Sequence, residues 1–137
     1  MIIPSTCRSF APSPMRIIQE VSKSLTYPLP ADLIEIYTDT NGFEGSISEW
    51  LNVILWPVED LVPNNIGYGV SSFFPGLVIV GSGATGQALG YLSRAATEYI
   101  EVSFVGFEEM FARTFCGTFF EFLTNLNEGR QSVSIEK

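Results

Sequence analysis

The most suggestive spacing in the chain is Gly81-Ser82-Gly83-Ala84-Thr85-Gly86, a GxGxxG match that follows the apolar run Leu77-Val80. In a dinucleotide-binding unit such glycines let the backbone approach a pyrophosphate at a helix N-terminus, and an acidic residue further on holds the ribose. Glu98 and Glu101 lie near the distance at which that acid is sought. Two features argue against this chemistry. A unit beginning at Leu77 has fewer than half of the 137 residues left to it. The helix it needs would also carry Gly90 in its interior, at a cost of about 1 kcal/mol against Ala. A hairpin-like connection into a further strand at Gln87–Leu92 explains the glycines with less machinery, and nucleotide binding through Gly81–Gly86 is the weaker alternative.

The remaining chemistry is limited by inventory. The chain contains no His, so Ser-His, Cys-His and imidazole-ligand arrangements do not arise. Its two lysines, Lys23 and Lys137, stand outside any GxxxxGK[ST] context. Cys7 and Cys116 lack CxxC spacing and read as reduced thiols. What is left is carboxylate: Glu44 and Glu49 near a glycine turn, and the adjacent pairs Glu59-Asp60 and Glu108-Glu109. Sequence neighbours point in different directions on a helix or strand, so these pairs make no ready acid/base dyad. They read as a solvated acidic face or as an acidic docking surface. Trp50, Trp56, Phe73, Phe74, Phe104 and Phe107 read as core. Two adjacent Phe in the turn Phe73-Phe74-Pro75-Gly76 cannot easily both be buried, so Phe73 joins the acids as a candidate contact. No catalytic residue, cofactor or metal is expected.

The elements that must position these residues follow from periodicity. Ser13-Pro14 reads as an N-cap with Pro at the first helical position, ahead of Ile17, Ile18, Val21 and Leu25 on one face. Residues 1–13 read as a loosely ordered start. Pro30 opens a second helix with Asp32 in its first turn and Leu29, Leu33 and Tyr37 in a buried stripe, ending near Thr40 before Asn41-Gly42. Val53-Trp56, Leu77-Val80 and Tyr99-Val105 read as strands. In the last of these Ile100, Val102 and Phe104 point one way and Glu101 and Ser103 the other, as in a sheet with one wet face. Thr118-Phe119-Phe120-Glu121 has the spacing of a capping box, and Phe119, Phe122, Leu123 and Leu126 follow a helical stripe. Helices at both ends with consecutive strands between them predict an α+β domain with a mainly antiparallel sheet, one domain over 1–137.

Composition narrows the partners. Seven basic residues against fifteen acidic ones give a net charge of −8, which repels a nucleic-acid backbone. No apolar run reaches the roughly 20 residues that span a bilayer. The first fourteen residues, with Pro4, Arg8, Pro12 and Pro14, lack a secretory apolar core, so neither membrane insertion nor secretion is expected and a cytoplasmic location fits.

Taken in order, Leu29-Pro30-Ala31-Asp32-Leu33 before Asn41-Gly42, Phe74-Pro75-Gly76-Leu77 running into Gly81-Ser82 and Gly86, Phe104-Val105-Gly106, and Phe119-Phe120-Glu121-Phe122-Leu123 resemble the SUKH superfamily, the Smi/Knr-like proteins. The likeness covers roughly residues 14–127. Where that family carries acidic or Asn residues around its glycine turn, this chain has Gly83-Ala84-Thr85 and Ser93-Arg94. The resemblance implies helices beside an antiparallel sheet and a role in protein binding rather than catalysis. It points to a cytoplasmic immunity protein that masks a basic toxin domain, possible nucleases included, with a regulatory or scaffold role of the cell-wall-regulator kind as the alternative. It implies no specific binding residues.

Overall fold

A computed structural model of the chain describes residues 7–46, 52–83, 86–92, 98–103 and 113–127. The two N-terminal helices form where the apolar stripes require them: α1 spans Met15–Ser24 and α2 spans Ala31–Asp39. Each begins one residue later than a Pro at the first helical position would give. Pro14 and Pro30 both hold extended ψ values (142° and 153°) and serve as the cap residues, with no side-chain cap bond at either end. The fixed φ of proline suits either position, and here the turn into the helix falls just after it. Thr40 ends α2 in extended backbone, as the Asn41-Gly42 signal predicts.

Among the described residues, seven strands pair as an antiparallel meander in sequence order: β1 (Cys7–Ser9), β2 (Phe43–Ser46), β3 (Asn52–Leu55), β4 (Leu77–Gly83), β5 (Gln87–Leu92), β6 (Glu98–Ser103) and β7 (Arg113–Cys116). With the helices this is the expected α+β architecture. Three strands were not foreseen. Cys7–Ser9 forms an edge strand inside the segment read as loose, held because Thr40 accepts a hydrogen bond from the Phe10 N–H and donates one to the Gly42 carbonyl. β2 and β7 are four-residue strands with too few alternating positions to register as a pattern. Between β3 and β4 a 3₁₀ turn (Val58–Asp60) leads into α3 (Leu61–Tyr68) and the single turn α4 (Val70–Phe73). A further helix, α5 (Phe119–Asn127), packs on β6 and β7. Its capping box forms in full: Glu121 N–H donates to Thr118 Oγ1 at 3.2 Å, and Thr118 N–H donates to Glu121 Oε1 at 2.8 Å.

The sheet is covered on both faces over its central strands. On one, Val53, Leu55, Val78, Val80, Leu89, Tyr91 and Tyr99 meet Ile18, Leu33, Ile36, Phe119 and Phe122 of the helices. On the other, Leu77, Ile79, Ala88, Leu92, Ile100 and Val102 form a second buried cluster with Val70 and Phe74. This corrects the expectation of one wet face at β6. Tyr99 shares parity with Glu101 and Ser103, and it is fully buried beneath α2 and α5. The alternation on β6 marks where the helix layer ends, because the wet residues lie further along the same face.

Gly81, the first glycine of the GxGxxG run, is a packing residue. A bulge between Ile79 and Gly81 shifts the β4–β5 register, and a Cβ at position 81 would lie 2.1 Å from the Ile54 carbonyl oxygen of β3. Gly81 and Gly83 belong to β4, and Gly86 (φ 90°) precedes β5, so the run joins two antiparallel strands and no helix follows. Where β3 ends, the Asn65 side chain of α3 takes over the free edge of β4. Its Oδ1 accepts from Ile79 N–H and its Nδ2 donates to Ile79 O, both at 2.8 Å, as a neighbouring strand would.

One carboxylate joins the distant ends of the chain. Asp32 Oδ1 accepts from the Tyr99 hydroxyl at 2.8 Å, and Asp32 Oδ2 accepts from the Phe119 N–H at 2.7 Å. The first turns of α2 and α5 thus share one negative charge, favourable to both helix dipoles. Asp32→Ala should leave a buried phenol and a helix N–H without partners and cost about 3 kcal/mol. Tyr99→Phe, which leaves the carboxylate its second donor, should cost about half that. Thermal unfolding of the two variants checks this, and equal midpoints for wild type and Asp32→Ala would show that the clamp is dispensable. Gly81→Ala should be destabilising by more than about 2 kcal/mol, since backbone rather than a flexible side chain must move.

Candidate interaction surface

Seven carboxylates (Asp32, Glu35, Asp39, Glu44, Glu49, Glu59 and Asp60) fall in the stretch from Ser24 to Ser93, which contains no Lys or Arg. This one-sided run is the sequence signal that a count of adjacent acid pairs overlooks. Apart from Asp32, the described members lie at the surface. Glu35 and Asp39 are exposed one turn apart on α2, and Asp39 sits in the last turn, where the helix dipole disfavours a carboxylate. Glu59 and Asp60 are exposed in the 3₁₀ turn. Asn41 brings that turn to the end of α2: its Nδ2 donates to Glu59 Oε1 at 2.7 Å, while its Oδ1 accepts from Val58 N–H at 2.8 Å.

Of the residues singled out in the sequence, Glu59 and Asp60 therefore sit together beside α2. Glu44 stands apart on β2, 3.5 Å from the Arg8 guanidinium of β1, with both side chains open to solvent. Phe73 is the last residue of α4, and Phe74 is buried at 4% exposure. Glu49, Glu108 and Glu109 lie outside the described residues. Glu98 and Glu101, the acids considered for a ribose, are separated along β6. Glu101 is two strands across from Gly81, while Glu98 pairs with Leu92 at the opposite end of the ladder.

Sequence reasoning assigned Trp56 to the core and did not single out Phe10, Ile54, Ile66 or Tyr68. The last four are exposed large apolar side chains, and Tyr68 stacks on half-buried Trp56 at 6.3 Å between ring centroids. Ile66 stands at the rim of a groove of about 370 Å³ between the end of α1, α3 and the start of β4, lined by Leu25, Tyr27, Val62, Val70 and Leu77 among others, none of them charged. A phosphate would find no cation there.

Three phenols lie in the interior, and each hydroxyl has a structural acceptor. Tyr37 donates to Trp56 O, Tyr91 to Tyr27 O and Tyr99 to Asp32, at 2.7 to 2.8 Å. Among the described residues no group of three or more His, Cys, Asp or Glu is placed to hold a metal, and no helix is long and apolar enough to cross a membrane. No protein-family model and no curated protein matches the chain.

Burial raises all three phenols above the ordinary tyrosine range, with Tyr99 pushed further by the Asp32 carboxylate and Tyr37 by Tyr91, Glu59 and Asp60. The unfolded chain releases these protons near pH 10 while the folded chain keeps them, so the unfolded state binds fewer protons above that pH. Stability should be unaffected by these groups below about pH 10 and then fall by up to about 1.4 kcal/mol per pH unit for each phenol. Urea denaturation at successive pH values measures the slope. Phenolate absorbance from Tyr37, Tyr91 and Tyr99 in a chain still folded at pH 10 would contradict the assignment.

Proposed function

We propose that the chain is a non-enzymatic protein-binding domain, a cytoplasmic immunity-type protein that masks a basic toxin domain. The observation that carries this reading is the charge distribution: a net −8, with a 70-residue stretch free of Lys and Arg that places Glu35, Asp39, Glu59 and Asp60 on the surface. Glu35 and Asp39 repel each other across one helical turn, and Asp39 opposes the dipole of its own helix, so these charges do not serve the stability of α2. Surface fields of this kind accelerate encounter with a cationic protein. The ordered motifs that resemble the SUKH superfamily support the same reading, and the chain's lack of His fits masking better than hydrolysis.

Masking in this sense is steric and electrostatic. The acidic surface raises the encounter rate, and apolar contacts set the residence time. The experiment is expression of the neighbouring gene's product with and without this chain. Co-expression should abolish its toxicity and the two proteins should co-purify; toxicity that is the same in both cases would overturn the proposal. In the purified pair, raising NaCl from 50 to 500 mM should slow association by about tenfold or more and change dissociation by less than about twofold.

A further inference from the structure

Among the described residues, the helix layer and α4 leave one part of the sheet uncovered: the β1–β3 end of the face opposite α1, α2 and α5. Directly paired residues point to the same side of a sheet, so Arg8, Glu44, Ile54 and Ser82 form one row across β1 to β4. Phe10, Gly42 and Trp56 directly follow the last paired row, Ser9–Phe43–Leu55; the Arg8 guanidinium over the Phe10 ring places Phe10 on the face of Arg8, and Trp56 packs at the border between the two buried clusters. Gly42 adds no side chain. Phe10 and Ile54 are 39% and 41% exposed, and Tyr68 extends the surface by stacking on Trp56 with its ring nearly parallel, at 6°. Isolated exposed apolar groups are ordinary, whereas these gather three aromatic rings around the β1–β3 end of the sheet, the side-chain type over-represented at interface centres.

The patch already shows what it holds. Arg8 lies with its guanidinium carbon 5.5 Å from the Phe10 ring centroid and its Nη1 3.5 Å from Glu44 Oε1, so a guanidinium is sandwiched between an aromatic face and a carboxylate. The pair is exposed and loose, and such pairs contribute about 1 kcal/mol or less, so Glu44 can exchange its partner at little cost. We infer that this face docks an arginine-bearing segment of a cationic protein, its guanidinium on Glu44 and its apolar neighbours on Ile54, Trp56 and Phe10. The inference rests on the binding role proposed above and adds the surface and the chemistry it recognises. A second copy of this chain fits the face less well than a cationic protein, since each copy brings a net charge of −8.

The test is a titration of the ¹⁵N-labelled full chain, followed by amide shifts, with peptides of alternating Arg and Leu, Lys and Leu, or Gln and Leu. The Arg peptide should move residues 8–10, 43–46 and 52–56 and the Trp56 indole, and should bind more tightly than the Lys peptide, with no response to the Gln peptide. Glu44→Gln and Ile54→Thr, both at exposed positions, should each weaken the Arg peptide about fivefold, the scale of one half-exposed ion pair or one side-chain contact. Asp60→Asn should change it by less than about twofold. Shifts centred on residues 35–39 and 59–60, with Asp60→Asn the weakening variant, would overturn the inference, as would concentration-dependent shifts of the patch without peptide, which would mean a second copy covers it. If the neighbouring gene's product binds the chain but ignores Glu44→Gln and Ile54→Thr, the docking face is wrong and the binding role stands. If that product does not bind at all, the role itself falls.

Discussion

The Asp32 carboxylate is the constraint on which the arrangement of the layers depends. Its two oxygens reach across 67 and 87 residues of sequence to Tyr99 and Phe119, so α2, β6 and the start of α5 are fixed relative to one another by one group. The aromatic packing of that layer is organised around the same point: Tyr99 meets Phe119 edge-on at 5.3 Å and Phe122 face to face at 5.7 Å. A half-buried carboxylate requires donors of good geometry, and the Tyr99 phenol and the first N–H of α5 supply them, with the dipole of α2 adding to both. The same placement explains why α5 docks as a unit despite the short loop before it, since its first N–H is already committed to α2 when its apolar stripe meets β6 and β7.

A second constraint acts along the edge of β4. β3 is too short to accompany β4 along its whole length, and the exposed edge at Ile79 would carry an unpaired donor and acceptor inside the protein. Asn65 supplies both from a helix, which ties α3 to the sheet and lets the chain turn through Gly69, in the left-handed conformation at φ 63°, into α4. The bulge at Gly81 lies beside this junction. Both devices arise from one fact: β4 must pair with a four-residue strand on one side and a six-residue strand on the other.

These local solutions account for what the sequence reveals and what it hides. The long stripes of α1, α2 and α5, the capping box at Thr118, and the apolar strands β3 to β6 were legible because each repeats a period several times. β1, β2 and β7 span three or four residues and are defined by their partners rather than by their own alternation. α3 was hidden because Pro63, Asn64 and Gly67 all read as turn residues, although Pro63 falls within the first turn, where its missing N–H costs nothing. The face of β6 was misread for a related reason: alternation identifies two sides of a strand but not how far a helix layer extends over either. Among the candidate contacts, the exposed acids could be seen individually. Their neighbourhood with Asn41, and the rows that bring Phe10, Ile54 and Trp56 together, require the register of the sheet.

The acidic residues thus divide by surroundings rather than by type. Asp32 is satisfied by donors from two other elements and is part of the architecture. Glu35, Asp39 and Asp60 stand in water, one of them against the dipole of its own helix, and Glu44 holds a guanidinium loosely on an otherwise aromatic surface. Charges of the first kind act over a few ångströms and are insensitive to salt; those of the second kind act over about a Debye length, roughly 8 to 10 Å, and fade as salt is added. The proposed binding role would use them in that order of range: the exposed acids at the end of α2 to draw a cationic protein in, and the aromatic strand face to hold it once water is excluded. A substitution among the exposed acids should therefore alter the approach of a partner, and a substitution on the strand face its departure.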